Sequence, residues 1–425
     1  MLHRSKQLIF KWTPKAFGNR VFLRVWLVNL ISATAVAAHD TAATWMMNLM
    51  SPCGIFISLM ASLASLPFFL LTLPAGALAD ALNEARIMRV TNLWLAACAG
   101  TLALLASAGM LNPILLLCGV FLLGAGFAIN APAWASAVPQ IVNDDELPSA
   151  SALNGMQLNV SGVLGPALAG VLLTKVGVPV VFGLNAIGFL LVSAAIPPLQ
   201  KTGLSLGQTL RTFASSISDA LRYVSKTNEL QNILVRNAIF SLFVVVIPAL
   251  TPVLLLKELR LDGASLGLVF ASLGVGSVAG AIFVLPRLRS RFSSDGLIII
   301  AQIVLSGIYL LMSMVNHSPY CLLPMGLAGA SWTVAGAELW VMAQRAMPNS
   351  NRGRVSAIMM MGSQGAMILG GMIWGFSGQL AGTRPTLFTA SFLLFAVTVA
   401  GWLVIRAPAK SIATKSRRQL ALPAT

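Results

Sequence analysis

Residues 151–177 read SALNGMQLNVSGVLGPALAGVLLTKVG, and residues 356–382 read SAIMMMGSQGAMILGGMIWGFSGQLAG. Each stretch is long and apolar enough to cross a bilayer as a helix, which takes about 20 residues. Shifted by 205 residues, from 151 to 356, the two stretches share five small residues in register. The shared positions are Ser151 and Ser356, Ala152 and Ala357, Gly165 and Gly370, Gly170 and Gly375, and Gly177 and Gly382. One shared glycine means little, whereas five identities in register indicate an internal repeat.

The composition of the whole chain is that of a membrane protein. Its 425 residues are 57% hydrophobic and 9% charged, with a mean hydropathy of +0.84, whereas soluble domains carry about 25% charged residues. A net charge of +16 would suggest a nucleic-acid partner in a soluble domain. Here the basic residues lie mostly in loops and tails, so membrane topology explains them better and we expect no nucleic-acid partner.

Apolar runs between charges, prolines and glycines predict twelve membrane spans, arranged as six, a polar linker and six. The repeat joins the fifth span to the eleventh, which is typical of transporters built from two parallel six-helix halves around a central pathway. We therefore predict an all-α integral membrane protein with twelve transmembrane helices in two pseudo-symmetric halves. The predicted segments are a basic N-terminus (1–24), an N-terminal half (25–200), a linker (201–232), a C-terminal half (233–405) and a tail (406–425).

The distribution of basic residues predicts the orientation. Cytoplasmic loops retain Lys and Arg, and placing both termini in the cytoplasm leaves only Lys175, Lys257, Arg260 and Arg384 on the outer side. The other 24 of the 28 basic residues then lie inside or in the tails. We expect a multi-pass protein of a bacterial cytoplasmic membrane with both termini cytoplasmic.

Several motifs of soluble chemistry are absent from the sequence. It has no Gly-x-x-x-x-Gly-Lys-Ser/Thr phosphate loop and no His-Glu-x-x-His pair, so neither ATP hydrolysis nor metalloprotease chemistry is indicated. The four cysteines lack the spacing of a zinc site. We expect a protein that is not an enzyme and that holds no metal or other cofactor.

The end of the second span carries an acid in an unfavourable place. Asp80 ends the run LPAGALAD, where the helix dipole disfavours an anion, so it needs a partner. The stretch from Gly76 to Arg86 resembles the loop signature of the major facilitator superfamily, and this resemblance implies that Asp80 latches one conformation. The basic pair of that signature is reduced to Arg86 and Arg89, which weakens the implied latch. The alternative is a solvated loop acid.

The fifth span carries the run GVLGPALAG, in which Gly162, Gly165, Pro166 and Gly170 remove bulk from the helix. Small residues allow close approach of another helix, and a proline perturbs the backbone. The run resembles the Gly-Pro motif of exporters of the same superfamily, which is thought to favour export. Packing of small residues alone is the alternative.

A wider likeness covers most of residues 20–405. Its elements are the run DTAATW from Asp40, the run LPFFL from Leu66, and the stretch 326–382 with Trp332, Ala343-Gln344-Arg345 and Trp374-Gly375. Together they resemble the transmembrane secretion effector family, which includes the enterobactin exporters. The resemblance implies export, but members carry siderophores, drugs and other metabolites.

Two acids fall well inside predicted spans, where a charge is costly unless it is paired, hydrated or neutralised. Asp40 follows Asn29, Ser32 and Val36 at helical spacing, so a polar stripe leads to it. A carboxyl in such a cavity can take and release a proton; the alternative is a structural acid bonded to a nearby Thr or Arg. Glu338 can hold a proton or a cationic group, or pair with Arg345 or Arg236.

Polar and aromatic residues within the spans are candidates for the lining of a substrate cavity, because apolar cavities with a few placed polar groups suit amphipathic ligands. A tryptophan can equally anchor a helix at the membrane interface. The candidates are Asn29, Ser32, Asn130, Trp134, Gln157, Trp332 and Gln364.

Taken together, these features predict a secondary transporter that exports a small amphipathic metabolite by proton-coupled alternating access. The resemblance makes a siderophore the first substrate class. A broad-specificity drug efflux transporter is the alternative, as is a transporter-like membrane sensor that moves nothing. The expected partners are the lipid bilayer, a small-molecule substrate and protons, and we expect a monomer.

Overall fold

The computed structural model describes residues 15–199, 221–317, 319–347 and 352–406. These residues form a short 3-10 helix, Lys15–Gly18, and long helices without a β-strand in the described ranges. The first six long helices are α1 Arg20–Met50, α2 Ile55–Ala81, α3 Glu84–Ser107, α4 Pro113–Ile141, α5 Leu147–Lys175 and α6 Val178–Ala195. The second six are α7 Asn228–Glu258, α8 Gly263–Arg289, α9 Ser294–Met314, α10 Pro319–Ala346, α11 Arg352–Ala381 and α12 Thr383–Arg406.

Polar caps begin several of these helices. The Asn19 side chain accepts hydrogen bonds from the amides of Val21 and Phe22, both at 3.1 Å. Asn83 caps α3 and Asn112 caps α4 in the same way. Such caps satisfy amides that a helix start leaves unpaired, so the chain turns at defined residues between spans.

Eleven helices of the described part are both long and apolar enough to cross a membrane. The twelfth, α10, has 28 residues and is long enough, but Glu338 and Arg345 make it less apolar. The all-α membrane fold predicted from the sequence is confirmed.

The packing of the first six helices recurs in the second six. Helix α2 packs on α4, α3 packs on α4 and α6, and α1 packs on α5. Six helices later, α8 packs on α10, α9 packs on α10 and α12, and α7 packs on α11. One pair differs: α1 also packs along α6, whereas the contact of α7 with α12 lies mainly in the segment Val246–Val253.

Two seams join the halves, α5 against α8 and α2 against α11. A methyl group at Gly170 would lie 3.1 Å from the carbonyl oxygen of Ala264 on α8. Its repeat counterpart, Gly375, faces Ser58 of α2 with its missing side chain 2.7 Å from the Ser58 Cβ. The two matched glycines therefore serve equivalent seams.

The other two matched glycine pairs also have equivalent places. Gly165 lies against α1 at Ala37, and Gly370 lies against α7 at Leu242, where any side chain would overlap the neighbour. Gly177 and Gly382 follow α5 and α11 with φ of +81° and +91°, a backbone region that favours glycine. The repeat seen in the sequence is thus a repeat of structural roles.

The predicted segment boundaries are only partly covered by the described residues. The N-terminus up to residue 14, the linker from 201 to 220 and the tail from 407 onward lie outside them. Helix α7 begins at Asn228, five residues before the predicted start of the C-terminal half. The division at these boundaries stays a prediction.

Candidate functional site

A cavity of about 800 Å³ lies inside the first six helices. We call it the N-half cavity. It lies between helices α1 to α6, toward the end of the bundle where α1 begins. Its polar lining consists of Asn29, Ser32, Asn92, Asn130, Ser151, Asn154 and Gln157, and its aromatic lining of Phe68, Phe127, Trp134 and Phe189.

Hydrogen bonds fix one side of this cavity and leave the other side free. The Asn130 Oδ1 accepts from Thr91 Oγ1 at 3.0 Å and from Asn92 Nδ2 at 3.5 Å, which ties α4 to α3. By contrast, the Nδ2 atom of Asn29 and the Oδ1 atom of Asn154 are buried without a hydrogen-bond partner among the described residues. Buried polar groups are nearly always hydrogen-bonded, so these two atoms are exceptions among the described residues that line the cavity.

A smaller cavity of about 200 Å³, the C-half cavity, lies between α7, α10 and α11. Trp332 and Trp340 of α10 and Met359 of α11 line it. Its polar groups are already occupied: the Asn237 Nδ2 donates to the carbonyl of Met359 at 3.4 Å, and Ser241 bonds Ser363 at 2.5 Å. This wall therefore offers mainly aromatic and thioether surface.

Asp40 lies on the cavity face of α1. Asn29, Ala33 and Val36 line the N-half cavity, and Asp40 follows Val36 by four residues, one helical turn further on the same face. Its side chain is exposed, and within the described residues no basic side chain comes within salt-bridge distance of it. The carboxylate is therefore accessible and without a described ionic partner, one turn beyond the last α1 residue that lines the cavity.

His39, next to Asp40 in the sequence, points elsewhere. It is buried, and its ring centroid lies 4.2 Å from that of Phe182 on α6. Neither ring nitrogen has a hydrogen-bond partner in the described part of the chain. The imidazole packs as an aromatic ring between α1 and α6.

Glu338 is buried and paired. Its Oε1 accepts from Arg289 Nε at 2.6 Å, and the two side chains are 2% and 45% exposed. The partner is Arg289 of α8; Arg236, one of the two expected partners, instead pairs with Asp295 of α9. This geometry ties α10 to the end of α8.

The two ends of the bundle differ in how the halves meet. At the end where α1 stops and α2 starts, Lys257 of α7 donates to the carbonyls of Asn48 at 2.9 Å and Ser51 at 2.5 Å. Nearby, Ser58 donates to the Ala249 carbonyl at 2.8 Å, and Ser62 to that of Ile368 at 3.1 Å. These bonds close this end, which we call the Ser51 end.

At the opposite end, which we call the Arg20 end, no described side-chain hydrogen bond joins the halves. A methyl group at Gly76 of α2, Gly155 of α5 or Gly362 of α11 would meet no atom within 4 Å. The missing side chain of Gly76 therefore faces no neighbouring helix in this structure. The described hydrogen bonds between the halves thus lie at the Ser51 end, and the N-half cavity lies toward the Arg20 end.

The predicted latch is only partly visible. The Asp80 side chain lies outside the described residues. Arg86 is exposed on the first turn of α3, and Arg89 donates to the Ile196 carbonyl at 2.9 Å, so Arg89 ties α3 to the end of α6. The role of Gly76, Asp80 and Arg86 as a latch stays a prediction.

The helix-packing run of α5 is seen in full. Gly165 and Gly170 approach α1 and α8 as described above, and Gly267 of α8 lies against the Pro166 carbonyl. Gly162 contributes differently from the expectation: a methyl group there would meet nothing, while its carbonyl group lies against Gly274 of α8. Its backbone, rather than its missing side chain, makes the contact.

Most of the predicted lining residues are brought together, and some were missed. Asn29, Ser32, Asn130, Trp134 and Gln157 line the N-half cavity, and Trp332 lines the C-half cavity. Gln364 is half-buried on α11 and is absent from the described lining of both cavities. Missed among the polar lining residues were Asn92, Ser151 and Asn154. Asn154 precedes Gln157 by three residues, a spacing that places both on one helix face.

The sequence matches a known family model over nearly its whole length. Residues 11–424 match the model described as transmembrane secretion effector. A macrolide efflux protein A of Streptococcus pyogenes is 20% identical over 294 residues, which is 69% of this chain and 72% of that protein. An enterobactin exporter of Citrobacter koseri is 25% identical over 352 residues, 79% of this chain and 80% of that protein.

Solved structures share the fold at low identity. The nucleoside transporter NupG superposes with a TM-score of 0.71 at 11% identity, over 92% of this chain and 100% of that one. A bacterial homologue of the iron transporter ferroportin, in an inward-facing state, gives 0.65 at 16% identity, over 90% and 98%. At these identities the likeness shows the fold of a membrane transporter.

Proposed function

The chain belongs to the transmembrane secretion effector family of the major facilitator superfamily, and from this premise we propose that it exports a small amphipathic compound in exchange for protons. The carrying observation is the N-half cavity, about 800 Å³ in volume, which lies toward the end of the bundle where no described hydrogen bond joins the halves. A cavity of this size lies in the range that holds drug-sized ligands.

The predicted orientation in the membrane assigns this conformation to one state of the transport cycle. With both termini in the cytoplasm, the Arg20 end faces inward and the Ser51 end faces outward. The cavity is then open to the cytoplasm, where an exporter collects its cargo. Alternating access requires the Lys257, Ser58 and Ser62 contacts to break and the Arg20 end to close.

We propose Asp40 as the proton-coupling residue. It lies on the cavity face of α1 without a basic partner in the described chain, and shifted by the repeat offset of 205 its position corresponds to Val245, which is fully buried. The packing of the repeat therefore does not require an acid there. Glu338, the other coupling candidate, is held by Arg289 in this conformation, which favours a structural role for it.

Two cargo classes are supported by different relatives. The enterobactin exporter supports a siderophore, and the macrolide efflux protein supports a drug. A membrane sensor that moves no cargo has no support from the relatives named above. We take a siderophore as the first class to test and drug efflux as the second.

The cargo can be identified by untargeted mass spectrometry of medium and cell extract. Parent, deletion and Asp40→Asn strains are grown with and without iron. We expect one compound to be retained inside and lost outside in both altered strains, and a siderophore would show this only without iron. A change in susceptibility to several unrelated compounds would indicate drug efflux. Unchanged metabolites and unchanged susceptibility would contradict export.

Coupling is tested with the purified protein in vesicles. A pH gradient should drive uptake of the identified cargo by the native protein and by Asp40→Glu, but not by Asp40→Asn. Thermal unfolding of Asp40→Asn should match the native protein, because the carboxylate bonds no side chain that packing depends on. Full gradient-driven flux in Asp40→Asn would overturn the coupling role.

A further inference from the structure

The linings of the two cavities contain polar groups but no charged group among the described residues. None of the described residues that line the N-half or the C-half cavity is an acid or a base. We infer that the protein selects cargo without net negative charge, namely aromatic amphipaths whose polar groups are hydroxyls or amides. This selection rests on the proposed function, since it concerns the same cavity.

The first reason is the cost of an unpaired charge. A charged group that leaves water for an apolar site loses several kcal/mol unless a counter-charge or hydrogen bonds replace its hydration. Arg89, next to the lining residue Met88, bonds the Ile196 carbonyl. Arg236, next to the lining residue Asn237, pairs with Asp295. An anionic cargo would find no positive partner in the lining.

The second reason is the sign of the local field. Asp40 is the ionisable group on the cavity face of α1, and its carboxylate has no described counter-ion. When ionised it attracts a cation and repels an anion. When it carries a proton it leaves the site neutral. Both states disfavour a negatively charged cargo, and one of them favours a positive one.

The third reason is the bonding capacity of two amides. The Asn29 Nδ2 and the Asn154 Oδ1 are a donor and an acceptor, both buried and without a described partner. A hydroxyl group can serve either of them, since it both donates and accepts. The ring faces of Phe68, Phe127 and Trp134 around them suit planar aromatic groups. The site thus matches a neutral aromatic hydroxyl compound.

The preference for cargo without negative charge limits which siderophores fit the cavity. Phenolic hydroxyls with a pKa of about 10 are neutral at pH 7, so a phenolic siderophore without iron fits the cavity. Its iron complex does not, because the hydroxyls then bind the metal as anions. A hydroxycarboxylate siderophore, which carries ionised carboxylates, is disfavoured by the same lining.

Binding of two organic ions that differ mainly in the sign of their charge tests the charge preference. Tetraphenylphosphonium and tetraphenylborate have nearly the same size and shape and opposite charge. We expect the purified full-length protein to bind the cation at least tenfold more tightly than the anion, after subtraction of binding to empty detergent micelles. Equal binding, or tighter binding of the anion, would overturn the inference.

Variants show whether the cavity is responsible for the preference. Gln157→Lys places a positive charge in the N-half cavity and should reverse the preference. Thr174→Lys adds the same charge to the exposed, opposite end of α5 and should leave it unchanged. If both variants shift the charge preference equally, the preference comes from the whole protein surface and not from the cavity, and the inference is overturned. Asn154→Leu should weaken binding of 2-naphthol about threefold to tenfold, and leave that of naphthalene unchanged.

Failure of this inference is distinguishable from failure of the proposed function. Binding is measured without a gradient, so the charge preference is read out even if Asp40→Asn retains full flux. Conversely, gradient-driven export of an anion would keep the exporter and overturn the selection.

Discussion

Lys257 carries the most direct bond between the two halves at the Ser51 end. Its amino group reaches the carbonyls of Asn48 and Ser51, which belong to the last turn and the cap of α1. A cation at a helix C-terminus is favoured by the helix dipole. Both hydrogen bonds of Lys257 must break whenever the Ser51 end opens.

Lys257→Met should therefore shift the molecule toward the state that is open at the Ser51 end. Loss of two charge-assisted hydrogen bonds, each worth about 1.5–3 kcal/mol, weakens the closed state. The reporter is Cys53, which is free and half-buried beside this contact. With the other cysteines replaced by serine, we expect faster labelling of Cys53 by an impermeant maleimide. Lys175→Met, at the exposed end of α5, is the control and should leave the rate unchanged.

Glu338 gives a second prediction about a single residue. Glu338→Gln leaves a buried amide and a half-exposed arginine, so the cost falls below the about 3–5 kcal/mol of a fully buried broken pair. We expect a loss of about 1–3 kcal/mol in thermal stability, and a pH dependence of transport like that of the native protein. The double variant Glu338→Gln/Arg289→Gln should recover part of the stability. A changed pH dependence with native stability would instead give Glu338 a coupling role.

At the scale of elements, the α5–α8 seam depends on backbone-to-backbone contact. Any side chain at Gly267 or Gly274 would overlap carbonyl oxygens of α5. Gly162, on the α5 side of the same seam, has open space where a Cβ would lie, although its carbonyl group contacts Gly274. Three glycines of one seam thus differ in how much room surrounds them.

Alanine variants of these glycines should therefore differ in thermal stability. Gly267→Ala and Gly274→Ala should each lower stability by about 1–3 kcal/mol, the cost of overpacking. Gly162→Ala should raise it by up to about 1 kcal/mol, because alanine favours a helix. Thermal unfolding in one detergent measures all three. Equal destabilisation by the three variants would show that the seam is looser than described.

The helices could be predicted from the sequence more completely than the contacts between them. Twelve spans and the fifth-to-eleventh match could be predicted because apolar length and glycine spacing are local properties of the chain. The Arg289 partner of Glu338, 49 residues away, could not be predicted, because it depends on how α8 ends beside α10. Asn154 had a visible signal in its spacing from Gln157. Asn92 had none, since its place in the cavity depends on the packing of α3 against α4.

At the scale of the whole molecule, transport requires the halves to separate at the Ser51 end. A cross-link there should stop it. A Cβ at Gly371 would lie 3.4 Å from the Ser62 Cβ, close to the about 3.5–4.5 Å of a disulfide. In a chain whose four cysteines are replaced, we expect Ser62→Cys/Gly371→Cys to lose export when oxidised and to regain it with a reductant. Each single variant is the control, and full export by the oxidised protein would contradict rocking about the central cavity.

The glycine pairs 205 residues apart bear on the origin of the molecule. In one half a glycine of α5 meets α8, and in the other the matching glycine of α11 meets α2. A single six-helix ancestor would carry both surfaces, and a two-fold rotation would bring them together in a second copy, as in a self-complementary dimer. Gene duplication and fusion would then convert that dimer into one chain and free each half to diverge, so that Asp40 could arise in one half while Val245 stayed in the other.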